Sequence, residues 1–98
     1  MNPHLFPRVK EWAEELENGN RGDGIKFSQW ADYLVAAGYT RIADIEGLTV
    51  TEIKDECPGI ASGVASKLIR YAKADATSIR EQEKRRMRQE RNQPRFYE

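Results

Sequence analysis

The chain has 98 residues, of which 39% are hydrophobic and 33% charged, and its 16 Lys and Arg balance its 16 Asp and Glu to a formal net charge of zero. A chain of this length forms one domain with at most an arm or a tail, which excludes a large catalytic cleft. Its apolar runs are too short to span a bilayer, and its single cysteine, Cys57, cannot form an internal disulfide. We therefore expect an intracellular protein of the cytoplasm or nucleus that has no membrane partner.

The zero net charge is the sum of two parts of opposite sign. Residues 1–79 carry nine basic and twelve acidic side chains, whereas residues 80–98 carry seven basic and four acidic ones. The body is therefore mildly acidic and the C-terminal tail is basic. Such an asymmetry suggests a tail that binds a partner, but a helical end that is simply well solvated shows the same pattern and is the more common case.

The first predicted element is an amphipathic helix within residues 1–18 that begins at Pro3 or Pro7. Apolar side chains recur there at steps of three and four, as a helix that buries one face requires. They are Phe6, Val9, Trp12, Ala13 and Leu16. Asn18-Gly19 indicates a left-handed C-cap, and residues 19–26 form a loop rich in Gly and Asn.

Three further helices are predicted before Pro58, and each begins at a hydroxyl side chain that can cap it: Ser28, Thr40, and Thr49 or Thr51. The apolar faces are, in turn, Trp30, Ala31, Leu34, Val35 and Ala37; Ile42, Ala43 and Ile45; and Val50, Ile53 and Cys57. The spacing from Thr49 to Glu52 fits a reciprocal capping box, in which each residue accepts a hydrogen bond from the backbone of the other.

The last predicted helix begins near Ala61 or Ser62 and continues into the basic tail. Its apolar stripe comprises Val64, Ala65, Leu68, Ile69, Ala72, Ala76 and Ile79. Beyond this stripe the pairs Glu81–Arg85 and Arg86–Glu90 predict a projecting charged helix over residues 80–98. Because no segment alternates with period two, the sequence predicts an all-α bundle of about five helices with a long C-terminal helix.

The segment from Pro58 to Leu68 resembles the second half of a helix-hairpin-helix motif, which we expect near residues 49–75. Pro58-Gly-Ile60 opens the motif, and Ala65 and Leu68 stand in register with it. A glycine permits the tight reversal between the two helices. Ala61 stands where the motif has its second glycine.

The wider segment from Phe27 to Ala74 resembles a sterile alpha motif (SAM) domain, and we assign residues 27–79 to this SAM-like unit. The shared features are Trp30 with Tyr33-Leu34, Gly38-Tyr39, Leu48-Thr49, Glu52-Ile53 and Gly59-Ile60. The stretch between Gly38 and Leu48 is shorter than the two-helix connection of the family. The resemblance implies a non-catalytic protein-binding or self-association module whose charged surfaces meet head-to-tail.

Charged residues of the body are the candidate protein-binding residues. The predicted acidic side comprises Asp44, Glu46, Glu52, Asp55 and Glu56. The predicted basic side comprises Lys67, Arg70 and Lys73. Ordinary solvated charges would show the same pattern, because single exposed ion pairs contribute little to stability.

Nucleic-acid binding is the alternative function. The hairpin amides and the first turn of the last helix would hold a phosphate, and the basic tail would add sequence-independent attraction. The residues of this alternative are Lys54, Gly59, Gly63, Lys67, Arg70, Lys84, Arg85, Arg86 and Arg88, with Phe96-Tyr97 able to stack on bases. The acidic body and the lack of Lys or Arg at the hairpin tip count against this alternative.

The sequence does not indicate an enzyme. His4, the single histidine, lies next to a proline near the start of the chain, and Cys57 lies on an apolar stripe with no histidine partner. We predict no catalytic residue, metal, cofactor or small-molecule substrate. The aromatic residues Trp12, Trp30, Tyr33, Tyr39 and Tyr71 are predicted to lie in or beside the core.

Overall fold

A computed structural model describes the backbone of residues 5–91 and the side chains of residues 5–88. It contains five α-helices: α1 (Val9–Asn18), α2 (Phe27–Ala36), α3 (Ile42–Ile45), α4 (Val50–Glu56) and α5 (Ser62–Arg91). The described residues form no strand, and an isolated antiparallel bridge joins Arg8 to Arg41. The prediction of an all-α bundle of about five helices with a long C-terminal helix is confirmed.

One cluster of buried apolar side chains joins the five helices. The helices α1 and α2 pack against each other, and α5 lies against α3 and α4. The buried residues of the cluster are Phe6, Val9, Trp12, Ala13, Leu16, Phe27, Ala31, Leu34, Ile42, Ile45, Ile53, Cys57, Ile60, Ala65, Leu68, Ala72 and Ala76. The predicted apolar face of α1 is confirmed for Val9, Trp12, Ala13 and Leu16, whereas Phe6 is buried ahead of the helix, which begins at Val9 and not at Pro3 or Pro7. The helix α1 shares its core with the helices that follow it.

The exposed side of α2 differs from the prediction. Phe27 is fully buried at the first position of the helix, although the sequence predicts that the helix begins at Ser28. Val35 is 40% exposed and Ala37 is exposed, so these two residues do not belong to the core face. The core face of α2 consists of Phe27, Ala31 and Leu34, which recur at steps of four and three.

The cap of α2 comes from another helix. Ser28 does not cap the helix as predicted, because its backbone N–H and its hydroxyl both donate to Oε1 of Glu17, at 3.0 and 2.6 Å. A carboxylate at a helix N-terminus is stabilised by the unpaired N–H groups and the helix dipole. The two hydrogen bonds from Ser28 hold the pKa of Glu17 below its ordinary value.

The short helices α3 and α4 are capped locally. Asp44 accepts hydrogen bonds from the backbone N–H groups of Thr40 and Arg41, at 3.2 and 3.0 Å, and α3 begins after Arg41. Thr40 is therefore not the N-cap that the sequence predicts. The N-cap is Arg41, and its backbone N–H donates to the Asp44 carboxylate. The predicted capping box of α4 is confirmed: Thr49 accepts from the N–H of Glu52 at 3.2 Å and donates its own N–H to Glu52 at 3.0 Å.

The loop after α1 folds back onto the end of that helix. Gly19 has φ −100° and ψ −179°, which is extended backbone and not the predicted left-handed C-cap. The loop approaches the backbone of α1 closely at Gly22. A Cβ atom there would lie 2.6 Å from the carbonyl oxygen of Leu16 and 2.7 Å from that of Glu17. Only glycine fits this position without a shift of the backbone.

The cap between α1 and α2 makes stability depend on pH. Because the pKa of Glu17 is lowered by folding, its contribution is complete above the ordinary pKa of 4.5 and is lost as the pH falls through the folded value. We expect Glu17→Gln to lower the thermal unfolding midpoint more at pH 7 than at pH 3. Equal losses at the two pH values would contradict the carboxylate cap. Glu14→Gln, at an exposed position of the same helix, is the matched control and should change neither midpoint.

Candidate functional site

Three of the five predicted acidic residues are used within the chain. Asp44 caps α3, and Glu52 caps α4. Glu46 accepts two hydrogen bonds from the guanidinium of Arg80, at 3.1 and 2.5 Å. These three carboxylates stabilise the fold, and binding a partner through them would compete with those internal bonds.

The contact of Arg80 fixes α5 at the point where it leaves the bundle. Its guanidinium carbon lies 5.3 Å from the ring centroid of Phe6, in addition to the paired hydrogen bonds to Glu46. The side chain of Glu46 is only 19% exposed, so the ion pair is partly shielded from water and salt. Arg80 thus ties the start of the basic tail to the body.

The two remaining acidic residues, Asp55 and Glu56, form an exposed group that we call the α4 acidic pair. They lie between Ile53 and Cys57, whose side chains are buried, and so they occupy the outer side of α4. Neither carboxylate forms a hydrogen bond or ion pair with the described part of the chain. Both are free to meet a cation from outside.

The predicted basic residues also fall into two groups, one with a partner in the chain and one without. Lys67 lies 3.6 Å from Asp23 and holds the loop after α1 against α5. Arg70 and Lys73 are exposed, and no described residue forms a hydrogen bond or ion pair with them. They point away from Leu68 and Ala72, which face the core, and we call them the α5 basic pair.

The predicted phosphate site lies where the chain reverses between α4 and α5. Gly59 has φ +85°, a conformation that glycine adopts without strain, and Ile60 is buried beneath the turn. The Lys54 ammonium donates to Oγ of Ser62 at 3.0 Å, at the start of α5. Gly63 lies in the first turn of α5, which contains no acidic residue.

The basic residues of the tail continue along α5. Lys84, Arg85 and Arg88 are exposed. Among the described side chains of this stretch, Glu83 forms an ion pair with Arg86, with Nε of the arginine 3.2 Å from the carboxylate. The predicted pair Glu81–Arg85 does not form. The other predicted pair, Arg86–Glu90, and the predicted stacking residues Phe96-Tyr97 lie outside the described side chains, as does His4.

Tyr33 is the aromatic residue whose position differs from the prediction. It is 45% exposed instead of lying in or beside the core, and its ring stacks on Trp30 with the centroids 6.1 Å apart and the planes at 28°. Trp30 is half-buried and its carbonyl oxygen lies 3.6 Å from Sγ of Cys57, at the end of α4. Burial raises the pKa of the Cys57 thiol to about 11, so the side chain is a neutral, buried group at pH 7.

The hydrogen-bond network around Asp75 is not predicted by any pattern in the sequence. Trp12 donates its indole N–H to Asp75 at 2.7 Å, and Arg21 forms two bonds to the same carboxylate, at 3.0 and 2.9 Å. Burial raises the pKa of Asp75, but the bonds from Arg21 and Trp12 outweigh this and lower it overall. The guanidinium of Arg21 also lies 5.0 Å from the ring centroid of Tyr71. These contacts hold the loop after α1 on α5.

The surface of the described residues includes two clefts that Trp12 and Arg41, respectively, help to line. The first, of about 360 Å³, is lined by Trp12, Glu15, Leu16, Gly19, Asn20, Arg21 and Asp75. Its central carboxylate, Asp75, is already bonded by two side chains. The second, of about 530 Å³, is lined by Arg8, Lys10, Glu11, Val35, Thr40 and Arg41. Lys10 there forms an ion pair with Asp32 at 2.7 Å.

Between residues 5 and 91, none of the helices has the length and apolar character that crossing a membrane would require.

Some of the predicted carboxylates are bonded within the chain and others are free. This difference can be tested by measuring the free energy of unfolding of variants. Glu46→Gln should lower the free energy of unfolding by about 1 kcal/mol, because it weakens a pair of charge-assisted bonds. Glu56→Gln makes the same chemical change on an exposed carboxylate and should leave the free energy of unfolding unchanged. Urea unfolding of the two variants at pH 7 measures the difference, and equal effects would contradict the assignment.

Comparison with protein-family models, with curated proteins and with solved structures gives no match for this chain. The likeness to SAM and helix-hairpin-helix domains therefore rests on the sequence of residues 27–74 alone.

Proposed function

We propose that this protein is a non-catalytic interaction module that associates with itself head-to-tail. The α4 acidic pair of one copy meets the α5 basic pair of the next. The observation that carries the proposal concerns the eight predicted protein-binding residues: Asp44, Glu46, Glu52 and Lys67 have partners within the chain, and the four others divide by sign between α4 and α5.

Two different surfaces that attract each other generate a heterologous contact. Two copies joined in this way still have one unused acidic surface and one unused basic surface between them, so the contact repeats into a chain or closes into a ring. Exposed ion pairs are individually weak, typically below about 1 kcal/mol, and they are screened by salt. The association is therefore expected to strengthen with protein concentration and to weaken with ionic strength.

The test uses two variants that each lose one surface. In the first, Arg70→Glu and Lys73→Glu remove the basic surface, and in the second, Asp55→Asn and Glu56→Gln remove the acidic surface. We expect the wild type to form species larger than a dimer in sedimentation velocity at low salt, and each variant alone to be monomeric. A mixture of the two variants restores one contact and should stop at a 1:1 dimer.

Glu14→Gln with Glu15→Gln is the matched control, since it removes two exposed carboxylates on α1 and should associate like the wild type. A wild type that stays monomeric at low salt and high concentration would contradict self-association. A mixture of the two variants that stays monomeric would contradict the head-to-tail arrangement.

Nucleic-acid binding is a second candidate function, and the placement of Lys54 favours it. Its ammonium stands at the N-terminus of α5, where backbone N–H groups attract anions, and the first turn has no acidic residue to repel one. Lys84 and Arg85 lie on the same helix, about 35 Å further along at 1.5 Å per residue. A duplex that contacts both ends must therefore span about ten base pairs.

This second function predicts salt-dependent binding of a duplex of about 20 base pairs, followed by fluorescence anisotropy. Neutralising Lys84, Arg85 and Arg88 to Gln should weaken binding and reduce its dependence on salt, because phosphate contacts are lost. Lys54→Gln should weaken it further. Anisotropy that does not change with protein concentration at low salt would contradict nucleic-acid binding.

A further inference from the structure

Two arginines from distant parts of the chain are held side by side. Arg8 precedes α1, Arg41 precedes α3, and the isolated antiparallel bridge pairs them directly. The residues on either side of them form the backbone hydrogen bonds of the bridge, at 2.9 and 3.2 Å. The arginines are therefore a non-hydrogen-bonded pair, in which the Cα atoms lie about 4.5 Å apart and both side chains project from the same face.

Like charges directly opposite each other in such a bridge are unfavourable. Arg8 is exposed, and its side chain forms no hydrogen bond or ion pair with any described residue. Nη1 of Arg41 donates to the carbonyl oxygen of Phe6 at 3.0 Å, which anchors the guanidinium. The Asp44 carboxylate accepts the backbone N–H groups of Thr40 and Arg41. An anion from outside that contacts both arginines therefore offsets their repulsion in addition to forming new bonds.

Both arginines line the second cleft, of about 530 Å³. Pockets that hold small molecules typically measure about 300–1,000 Å³. Of the described residues that line this cleft, three are cationic and one, Glu11, is acidic. The third cation, Lys10, is paired with Asp32, so the charge that attracts a ligand comes mainly from the two arginines. The cleft has the size and the charge of a site for a small anion.

The arginine pair favours a phosphate monoester over a carboxylate as that anion. A phosphate monoester carries close to two negative charges at pH 7 and three strong acceptor oxygens, which match two guanidiniums. A carboxylate carries one charge. Val35, an apolar residue of the lining, is 40% exposed and gives the carbon part of the ligand a surface to pack against.

We propose that this cleft binds the phosphate monoester group of a small organic molecule. Arg8 and Arg41 contact the phosphate, and Val35 contacts the carbon part of the ligand. This binding site goes beyond the proposed self-association, because none of its residues belongs to the α4 acidic pair or the α5 basic pair. The two proposals therefore fail or succeed separately.

Titration of the full chain with phenyl phosphate tests the site, followed by the amide NMR signals of Thr40 and Arg41. Arg8→Gln should raise the dissociation constant about tenfold, because it removes charge-assisted contacts to the phosphate. Since Arg8 is exposed, its thermal unfolding midpoint should match that of the wild type. Arg85→Gln removes an exposed arginine of α5 and is the matched control, with no change in affinity. Equal losses in both variants, or signals of the wild type that do not move, would overturn the site.

A gain of affinity is expected from the acidic residue of the lining. Glu11→Gln removes the negative charge from the cleft and should lower the dissociation constant about threefold, as weak exposed charge pairs do. Glu14→Gln removes an exposed carboxylate about one turn later on α1 and should leave the affinity unchanged. Partial unfolding cannot produce tighter binding, so an unchanged affinity of Glu11→Gln contradicts a ligand in this cleft.

Three further probes define the ligand. Phenyl sulfate has the same shape and one negative charge, and it should bind more weakly; equal affinity overturns the doubly charged phosphate. Inorganic phosphate lacks the carbon part and should bind more weakly than phenyl phosphate; equal affinity overturns the ester. A blocked tripeptide that carries phosphotyrosine should bind no more tightly than phenyl phosphate. A tenfold gain with the tripeptide would instead assign the site to a phosphorylated partner chain and overturn the small molecule.

Discussion

Close packing along one face of α5 is the constraint on which the rest of the structure depends. Ala65, Ala72 and Ala76 are fully buried on this face together with Leu68, and small side chains let the neighbouring helices approach the α5 backbone. The short helices α3 and α4 lie against this face, and the indole of Trp12 brings α1 within hydrogen-bond distance of Asp75. A chain of this size has little apolar area to bury, so a face shared by several helices matters more than it would in a large domain.

Hydrogen bonds to carboxylates also hold the helices in place. Glu17 caps α2 from the end of α1, Glu46 binds Arg80, and Asp75 joins α1 and the loop after it to α5. Each of these groups connects elements that are separated in the chain, and each therefore adds to the cooperativity of folding. Their engagement also decides which charges remain for a partner, because an acidic side chain that already accepts two or three hydrogen bonds gains little from a further cation.

The charged side chains of α4 and α5 that have no partner among the described residues are the ones that a binding partner can contact. The α4 acidic pair and the α5 basic pair lie on the outer sides of two helices joined by a tight turn at Gly59. In the head-to-tail association that we propose, each copy contributes the acidic pair to one neighbour and the basic pair to the other. Lys84, Arg85 and Arg88, further along α5, are exposed as well.

The sequence by itself determined the features whose causes lie within a few residues. The helix periodicity of α1 and α5 and the capping box from Thr49 to Glu52 were predicted correctly, because hydrogen bonds and neighbouring faces within a helix turn are set by local spacing. The same reasoning failed at Ser28 and Thr40, where a hydroxyl residue suggested a cap and a carboxylate supplied it.

Only the tertiary structure decided how distant residues are combined. Glu17 reaches Ser28 across 11 positions, Arg80 reaches Glu46 across 34, and Trp12 reaches Asp75 across 63. The exposure of Tyr33 likewise follows from the way α2 is rotated against α1 and α4, which no periodicity within α2 specifies. Composition and spacing therefore identified the charged residues, and packing selected which of them are free, because a hydrogen-bond partner across the core is fixed by three-dimensional contact and not by separation along the chain.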